Sequence, residues 1–172
     1  ADDVARDAGC RAYIVDPVVV DEMNPLARYS GLPEIPRKSI LHALNQKAVA
    51  RRAARDLGRP YEQLNLIMVH LGGGISVGVH QQGMVADVNN ALNGDGPFAP
   101  ERAGGLPTGD LVKLCFSGQH TQAEVMKMLA GKGGCVSHLG TNDGREMEKK
   151  VDEGDERFTL VIEAMAYQVA KT

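Results

Sequence analysis

The chain has 172 residues, with 19 Lys and Arg against 22 Asp and Glu for a formal charge of −3. That balance excludes the clustered basic field of a nucleic-acid surface, and no apolar run approaches the ~20 residues needed to cross a bilayer. A soluble, globular, cytoplasmic chain with neither nucleic-acid nor membrane partners is expected. Cys10, Cys115 and Cys135 lack framework spacing, so reduced, mostly buried thiols are the simplest expectation. The start ADDVARDAGC lacks an initiator Met, and the end VIEAMAYQVAKT falls inside an apolar helical pattern; both ends read as cut.

In chain order, Val4 to Ala8 reads as a helix tail stopped by Gly9, and Ala12 to Val15 as a short strand ended by Asp16-Pro17. Pro17, Pro25, Pro33 and Pro36 make the next segment a loop or an interdomain connection. Ser39 is a candidate cap for a helix from about Ile40 to Leu57, stopped by Gly58. Its Arg51, Arg52 and Arg55 are expected to be solvated or in surface ion pairs. Leu64 to Leu71 is apolar at nearly every position, as in a strand covered on both faces. Gly72-Gly73-Gly74 breaks it, ISVGVHQQ alternates as a second strand, Gln82-Gly83 suits a hairpin turn and Met84 to Val88 forms a third. This is a β-meander. Residues 89–107 are rich in Gly, Pro, Asn and Ala, a long connection of a kind that is often functional. Helices are expected over Thr108 to Phe116, Thr121 to Ala130, Thr141 to Val151 and from Glu156 onward.

Chemistry gathers at a few positions. A glycine turn between strands lets backbone N–H groups approach an anion, phosphate above all, because no Cβ intervenes; an ordinary hairpin needing positive φ is the alternative. It is not a Walker A loop, since no Lys-Ser or Lys-Thr follows the glycines. LAGKGG (residues 129–134) reads as a helix C-cap and loop. Arg102 lies in the glycine-rich loop, where a guanidinium can fork onto phosphate or carboxylate. Asp16, at a strand end, suits a ligand or metal contact or a plain Asp-Pro turn. His42, alone on its helix, would ordinarily be structural. Cys115, His120, Cys135 and His138 offer one zinc-like pair, but the other straddles a predicted helix end, so core cysteines are expected.

Taken together, these segments resemble the acetate kinase family, within the wider group of sugar kinases, actin and heat-shock ATPases. The family's HGTSH motif, HLGNG turn, GTRSGD loop and VFDTAF-like strand end correspond to HALNQ from His42, HLGGG from His70, ERAGGLPTGD around Arg102, and IVDPVV around Asp16. Gly73 replaces the family's Asn and Leu41 an aromatic residue, and HALNQKAVAR, HLGGGISVG and DVNNALNGDGPFAPERAGGLP resemble the butyrate kinase branch. The resemblance implies an α/β, ribonuclease H-like (actin-like ATPase) fold: a central mixed sheet that begins with the meander, flanked by helices. It implies that residues 1–20 end a first domain and hinge, and that 21–172 form the core of a second, incomplete at its C-terminus. The implied activity is reversible transfer of the ATP γ-phosphate to butyrate, giving butyryl phosphate and ADP with Mg²⁺. The full-length enzyme would be a homo-oligomer, a dimer or higher. His42, Arg102 and Asp16 would be catalytic, with Asp16 also holding the metal through water. His70, Gly72, Gly73 and Gly74 would bind phosphate, and Leu41 and Pro97 would wall the acyl pocket. A kinase for another short or branched acid and a non-catalytic nucleotide-binding module are the alternatives.

Overall fold

The meander organises the computed structural model, which describes residues 1–172. Strands β1 (Asn65–Leu71), β2 (Ile75–Gln81) and β3 (Met84–Val88) form an antiparallel sheet in the order β1-β2-β3. The turn between β2 and β3 places both Gln82 (φ 51°) and Gly83 (φ 81°) in the left-handed region, the pattern of a tight hairpin turn whose twist matches its strands. Opposite each other across β1 and β2 stand Leu66 and His80, Met68 and Gly78, and His70 and Ser76. Because side chains alternate along a strand, these six lie on one face.

That face lies under helix α2 (Ala43–Asp56). Buried Ala50 and Ala54 pack there with Tyr61, Leu64, Leu66 and Met68. The helix starts later than expected. Ser39 does not cap it but donates its hydroxyl to the Val20 carbonyl at 2.6 Å, and His42 becomes the N-cap residue. Gly58, at φ 63°, ends the helix as expected. On the opposite face, Ile75 and Val77 pack with Ala99 against Met165 and Val169 of helix α7 (Glu156–Lys171).

β1 is not covered on both faces. Ile67 and Leu71 are 73% and 67% exposed, because β1 is an edge strand and α7 reaches only the β2 residues of that face. Ala12 to Val15 forms no strand: nothing pairs with it, and Tyr13 and Ile14 stand in solvent. Before it lies the short helix α1 (Asp2–Asp7). The Pro-rich segment holds one 3₁₀ turn, Pro25–Arg28, capped by the Asn24 side chain.

Residues 89–107 are irregular yet fastened to the sheet. The Asn89 amide accepts from the Val77 N–H at 2.7 Å and donates to the Ile75 carbonyl at 3.1 Å. Helices α3 (Thr108–Cys115) and α4 (Gln122–Leu129) follow, the latter opened by a Thr121–Glu124 capping box. A short α5 (Gly134–Leu139) then starts where the glycines of LAGKGG suggested only loop. With α6 (Gly144–Asp152) and α7 it closes a small core around Phe98, Cys135 and Met147. Cys135 is buried, but Cys10 and Cys115 are exposed, against the expectation of mostly buried thiols. No group of three or more His, Cys, Asp or Glu side chains is placed to hold a metal ion. No helix is long and apolar enough to cross a membrane.

Candidate active site

The cross-strand pair His70–Ser76 lies at the glycine-turn end of β1 and β2, and the N-terminus of α2 projects over it. His42 at that N-terminus stacks on His70, with ring centroids 3.7 Å apart and planes 7° from parallel. Its Nδ1 lies 2.9 Å from the Ser76 hydroxyl. On the far side of the stack, His70 Nδ1 meets the Asn45 side-chain amide nitrogen at 2.8 Å. Burial, then the neighbouring His70 and Arg102, hold the His42 imidazole below its ordinary value. His42 is thus a neutral ring at neutral pH, fit to donate or accept one hydrogen bond.

None of Gly72, Gly73 and Gly74 takes a left-handed φ. A hairpin that needs positive φ therefore does not explain them; space explains Gly72 and Gly74. A Cβ on Gly72 would fall 2.9 Å from His70 Nε2. One on Gly74 would lie 3.1 Å from the Ala91 carbonyl, 3.7 Å from His42 Cε1 and 3.9 Å from Arg102 Cγ. Gly74 thus keeps open the gap in which His42 and Arg102 meet. Gly73 has room for a Cβ, in ordinary contact with the Glu101 carboxylate at 3.5 Å.

Arg102 is held by its backbone rather than waving from a loop. Its carbonyl accepts from the Ala99 N–H at 3.0 Å, and it bridges to Ala130. The side chain is 25% exposed and lies 3.4 Å from Glu101 Oε2. Its Nε is buried without a partner, an unmet donor of the kind an anionic ligand would satisfy. Glu101 Oε1 accepts from Asn142 Nδ2 at 2.5 Å, which steers the carboxylate beside the guanidinium. His42, Gly74 and Arg102 line one cavity of about 190 Å³ whose remaining walls are Val18, Ile40, Leu41, Ala91 and Leu92. Its lining combines charged and hydrogen-bonding groups with aliphatic ones, a combination suited to a short acyl chain bearing a carboxylate.

Asp16 and Pro97 do not join this cavity. Pro97 lines a separate cleft with Ala164, Tyr167 and Gln168, apart from the cavity that Leu41 lines with Ile40, Ala91 and Leu92. Asp16 opens onto an adjoining cavity with His42 and His70, but its carboxylate is engaged. Arg51 lies 3.2 Å away and Lys47 3.8 Å away, and Lys47 also binds Glu22 at 2.5 Å. Asp16 has φ 42° directly before a proline, where extended backbone is the rule. Arg51 thus forms an ion pair, one of the two expectations for it.

Ser76, Gln46, His80 and Glu101 escaped the sequence reading. Their trace was present: His42, Gln46 and Ala50 recur at helical spacing, and Ser76, Gly78 and His80 alternate along a strand. Polar residues on both facing stripes of a helix–sheet contact mark a built polar layer.

A model described as the acetokinase family matches residues 34–172. Butyrate kinase 1 and butyrate kinase 2 of Clostridium acetobutylicum are 58% and 57% identical over 171 residues, 99% of this chain and 48% of each relative. A probable butyrate kinase of Phocaeicola vulgatus is 58% identical over the same share of both chains. The chain spans about half the length of the curated relatives it matches. An acetate kinase crystal structure from Porphyromonas gingivalis aligns with a TM-score of 0.77 at 25% identity, over 87% of this chain and 40% of that one. A propionate kinase from Francisella tularensis aligns with a TM-score of 0.74, also at 25% identity and over the same shares. These likenesses bear out the actin-like ATPase architecture, of which the antiparallel meander and its flanking helices are present in this chain.

Proposed function

The chain belongs to the acetokinase family, and on that footing we propose that it supplies the phosphoryl-transfer site of an ATP-dependent butyrate kinase. Residues 1–20 are read as the end of one domain and the hinge, and 21–172 as the core of the next. The observation that carries the proposal is the convergence of His42, Gly74 and Arg102 on one cavity whose remaining lining is aliphatic.

Phosphoryl transfer needs positioning and charge neutralisation more than covalent help. In the proposed reaction a carboxylate oxygen attacks the γ-phosphorus in line as the bond to the ADP oxygen breaks. The unpartnered Arg102 Nε and its NH groups neutralise charge on the reacting oxygens. His42 donates a hydrogen bond to the same oxygens. The turn Gly72 to Gly74 brings backbone N–H groups to the nucleotide phosphates, and His70 backs His42. Leu41, Ile40, Val18, Ala91 and Leu92 receive the acyl chain.

The residues of this chain do not fit a direct Mg²⁺ site. Asp16 already faces two cations, and no acidic cluster is placed to ligate a metal. Its role is to fix the α2 side of the site through Lys47 and Arg51. A kinase acting on another short acid is the second reading, because one methylene separates neighbouring substrates by only ~1–3 kcal/mol. Incubating the full-length enzyme with ATP, butyrate and hydroxylamine tests the proposal. Butyryl hydroxamate formed in step with ADP supports it; ATP turnover without acyl transfer, or no turnover, overturns it.

A further inference from the structure

We infer that a one-way hydrogen-bond chain from Tyr61 through His80, Gln46 and Ser76 fixes His42 as the tautomer that carries its proton on Nε2. The inference rests on the reading of His42 as a donor to the transferring phosphoryl group, and it makes Ser76 and Gln46 positioning residues for that donor.

The direction of every link follows from one atom that can only accept. Gln46 Nε2 lies 2.9 Å from the Ser76 backbone carbonyl. A flipped amide would set two oxygens against each other there, so the nitrogen must face Ser76 and Oε1 must face His80. Gln46 Oε1 is 3.0 Å from His80 Nε2, which must therefore carry a proton. Burial depresses the His80 imidazole to about 4, so the ring is neutral and its Nδ1 is a bare acceptor. The Tyr61 hydroxyl, 2.6 Å away, donates to it.

In the other direction, Gln46 Nε2 also donates to Ser76 Oγ at 2.9 Å. The His42 backbone N–H points at the same oxygen from 3.4 Å. These two donors use the two lone pairs of a hydroxyl. The single hydroxyl proton of Ser76 is left for His42 Nδ1, 2.9 Å away. A neutral imidazole whose Nδ1 accepts must hold its proton on Nε2. An imidazolium at His42 would bring a third donor to an oxygen with two lone pairs, so the chain also opposes protonation of that ring.

The layer is built, not incidental. Ser76 and His80 are fully buried and Gln46 is 2% exposed. Gly78, between them on β2, has no side chain because a Cβ there would fall 2.5 Å from Gln46 Oε1. Its absence lets one glutamine span the strand from Ser76 to His80. Besides Ser76, His70 stacks on the His42 ring, Arg102 lines one cavity with it, and Asp16, already paired with Lys47 and Arg51, lines another. His70 and Arg102 both disfavour a charged His42 ring.

The test is a long-range ¹H–¹⁵N spectrum of histidine-labelled full-length enzyme, beside steady-state kinetics of Ser76→Ala and Gln46→Met. The wild type should show His42 with bare Nδ1 and protonated Nε2. Ser76→Ala should mix the two tautomers of His42 and lower kcat at least ~10-fold, with the KM for ATP little changed. Gln46→Met should also disturb the His80 signals. A wild-type His42 protonated on Nδ1 overturns the inference without any variant, so a Ser76→Ala protein that fails to fold does not shield it. A pure Nε2–H pattern retained in folded Ser76→Ala overturns it as well. A shifted tautomer with unchanged kcat supports the chain of bonds and instead refutes the catalytic role given to His42.

Discussion

Replacing Arg102 separates a catalytic guanidinium from a structural one. The side chain is 25% exposed and its one ion pair, to Glu101 at 3.4 Å, is partly solvated. Such pairs are worth ~0–1 kcal/mol, and Glu101 keeps its bond from Asn142 when Arg102 is removed. Arg102→Ala should therefore destabilise the full-length enzyme by no more than ~1 kcal/mol, a fall in Tm of a few degrees. Its effect on the reaction should be far larger. Arginines that meet the transition state of phosphoryl transfer are worth ~10³–10⁵ in kcat, and a factor of 10³ corresponds to ~4 kcal/mol. The structure supplies the means: a buried Nε with no partner, on a backbone anchored through Ala99 and Ala130. Arg102→Lys should recover only part of the rate, because an ammonium cannot fork onto two oxygens. The assay is butyryl hydroxamate formation at saturating ATP and butyrate, with melting curves on the same samples. A kcat for Arg102→Ala within tenfold of wild type, in a protein that melts normally, would refute the reasoning.

The glycine turn gives a second contrast. Gly73→Val should leave the fold intact, since a Cβ there meets Glu101 at an ordinary 3.5 Å, but should weaken ATP binding at least ~10-fold by keeping phosphate off the backbone; an unchanged ATP Kd would refute the phosphate role of the turn. Gly74→Ala should lower both Tm and kcat, because its Cβ would press on the Ala91 carbonyl at 3.1 Å between His42 and Arg102; wild-type values of both would contradict the packing described. Leu92→Phe should narrow the cavity of about 190 Å³ and move preference toward acetate by ~10-fold or more, whereas Pro97→Ala should leave preference unchanged; the reverse result in kcat/KM would relocate the acyl pocket. Stability should fall as pH drops from about 6.5 to about 4, because unfolding releases a His80 that then binds a proton the folded chain excludes; at ~1.4 kcal/mol per pH unit this amounts to ~3 kcal/mol. Urea titrations across that window should show a slope that His80→Gln flattens, and an unflattened slope would assign the acid loss to other groups.

The meander was legible because its signals are local: alternation in β2, glycines at one turn and Gln82-Gly83 at the other. The expectation for β1 failed because an apolar run does not say whether a neighbour exists to cover Ile67 and Leu71. Ala12 to Val15 failed likewise, for want of a partner strand. His42 and Arg102 were found by motif, and their convergence with Gly74 is a fact of packing that no linear spacing expresses. Pro97 lies only five residues beyond Leu92, yet the irregular chain between them turns it into another cleft. Asp16 was singled out for a ligand or metal contact, but its partners Lys47 and Arg51 lie more than thirty residues away in sequence. The buried relay was missed because a lone Ser, Gln or His reads as ordinary until a helix stripe and a strand face are laid against each other.

The central claim is tested most directly by kcat/KM of the full-length enzyme for acyl phosphate formation from acetate, propionate and butyrate at one ATP concentration. The account predicts butyrate ahead of acetate by at least ~10-fold, consistent with the ~1–3 kcal/mol that each methylene is worth in an aliphatic pocket. Equal or higher values for acetate, or no acyl phosphate from any of the three acids, would contradict it.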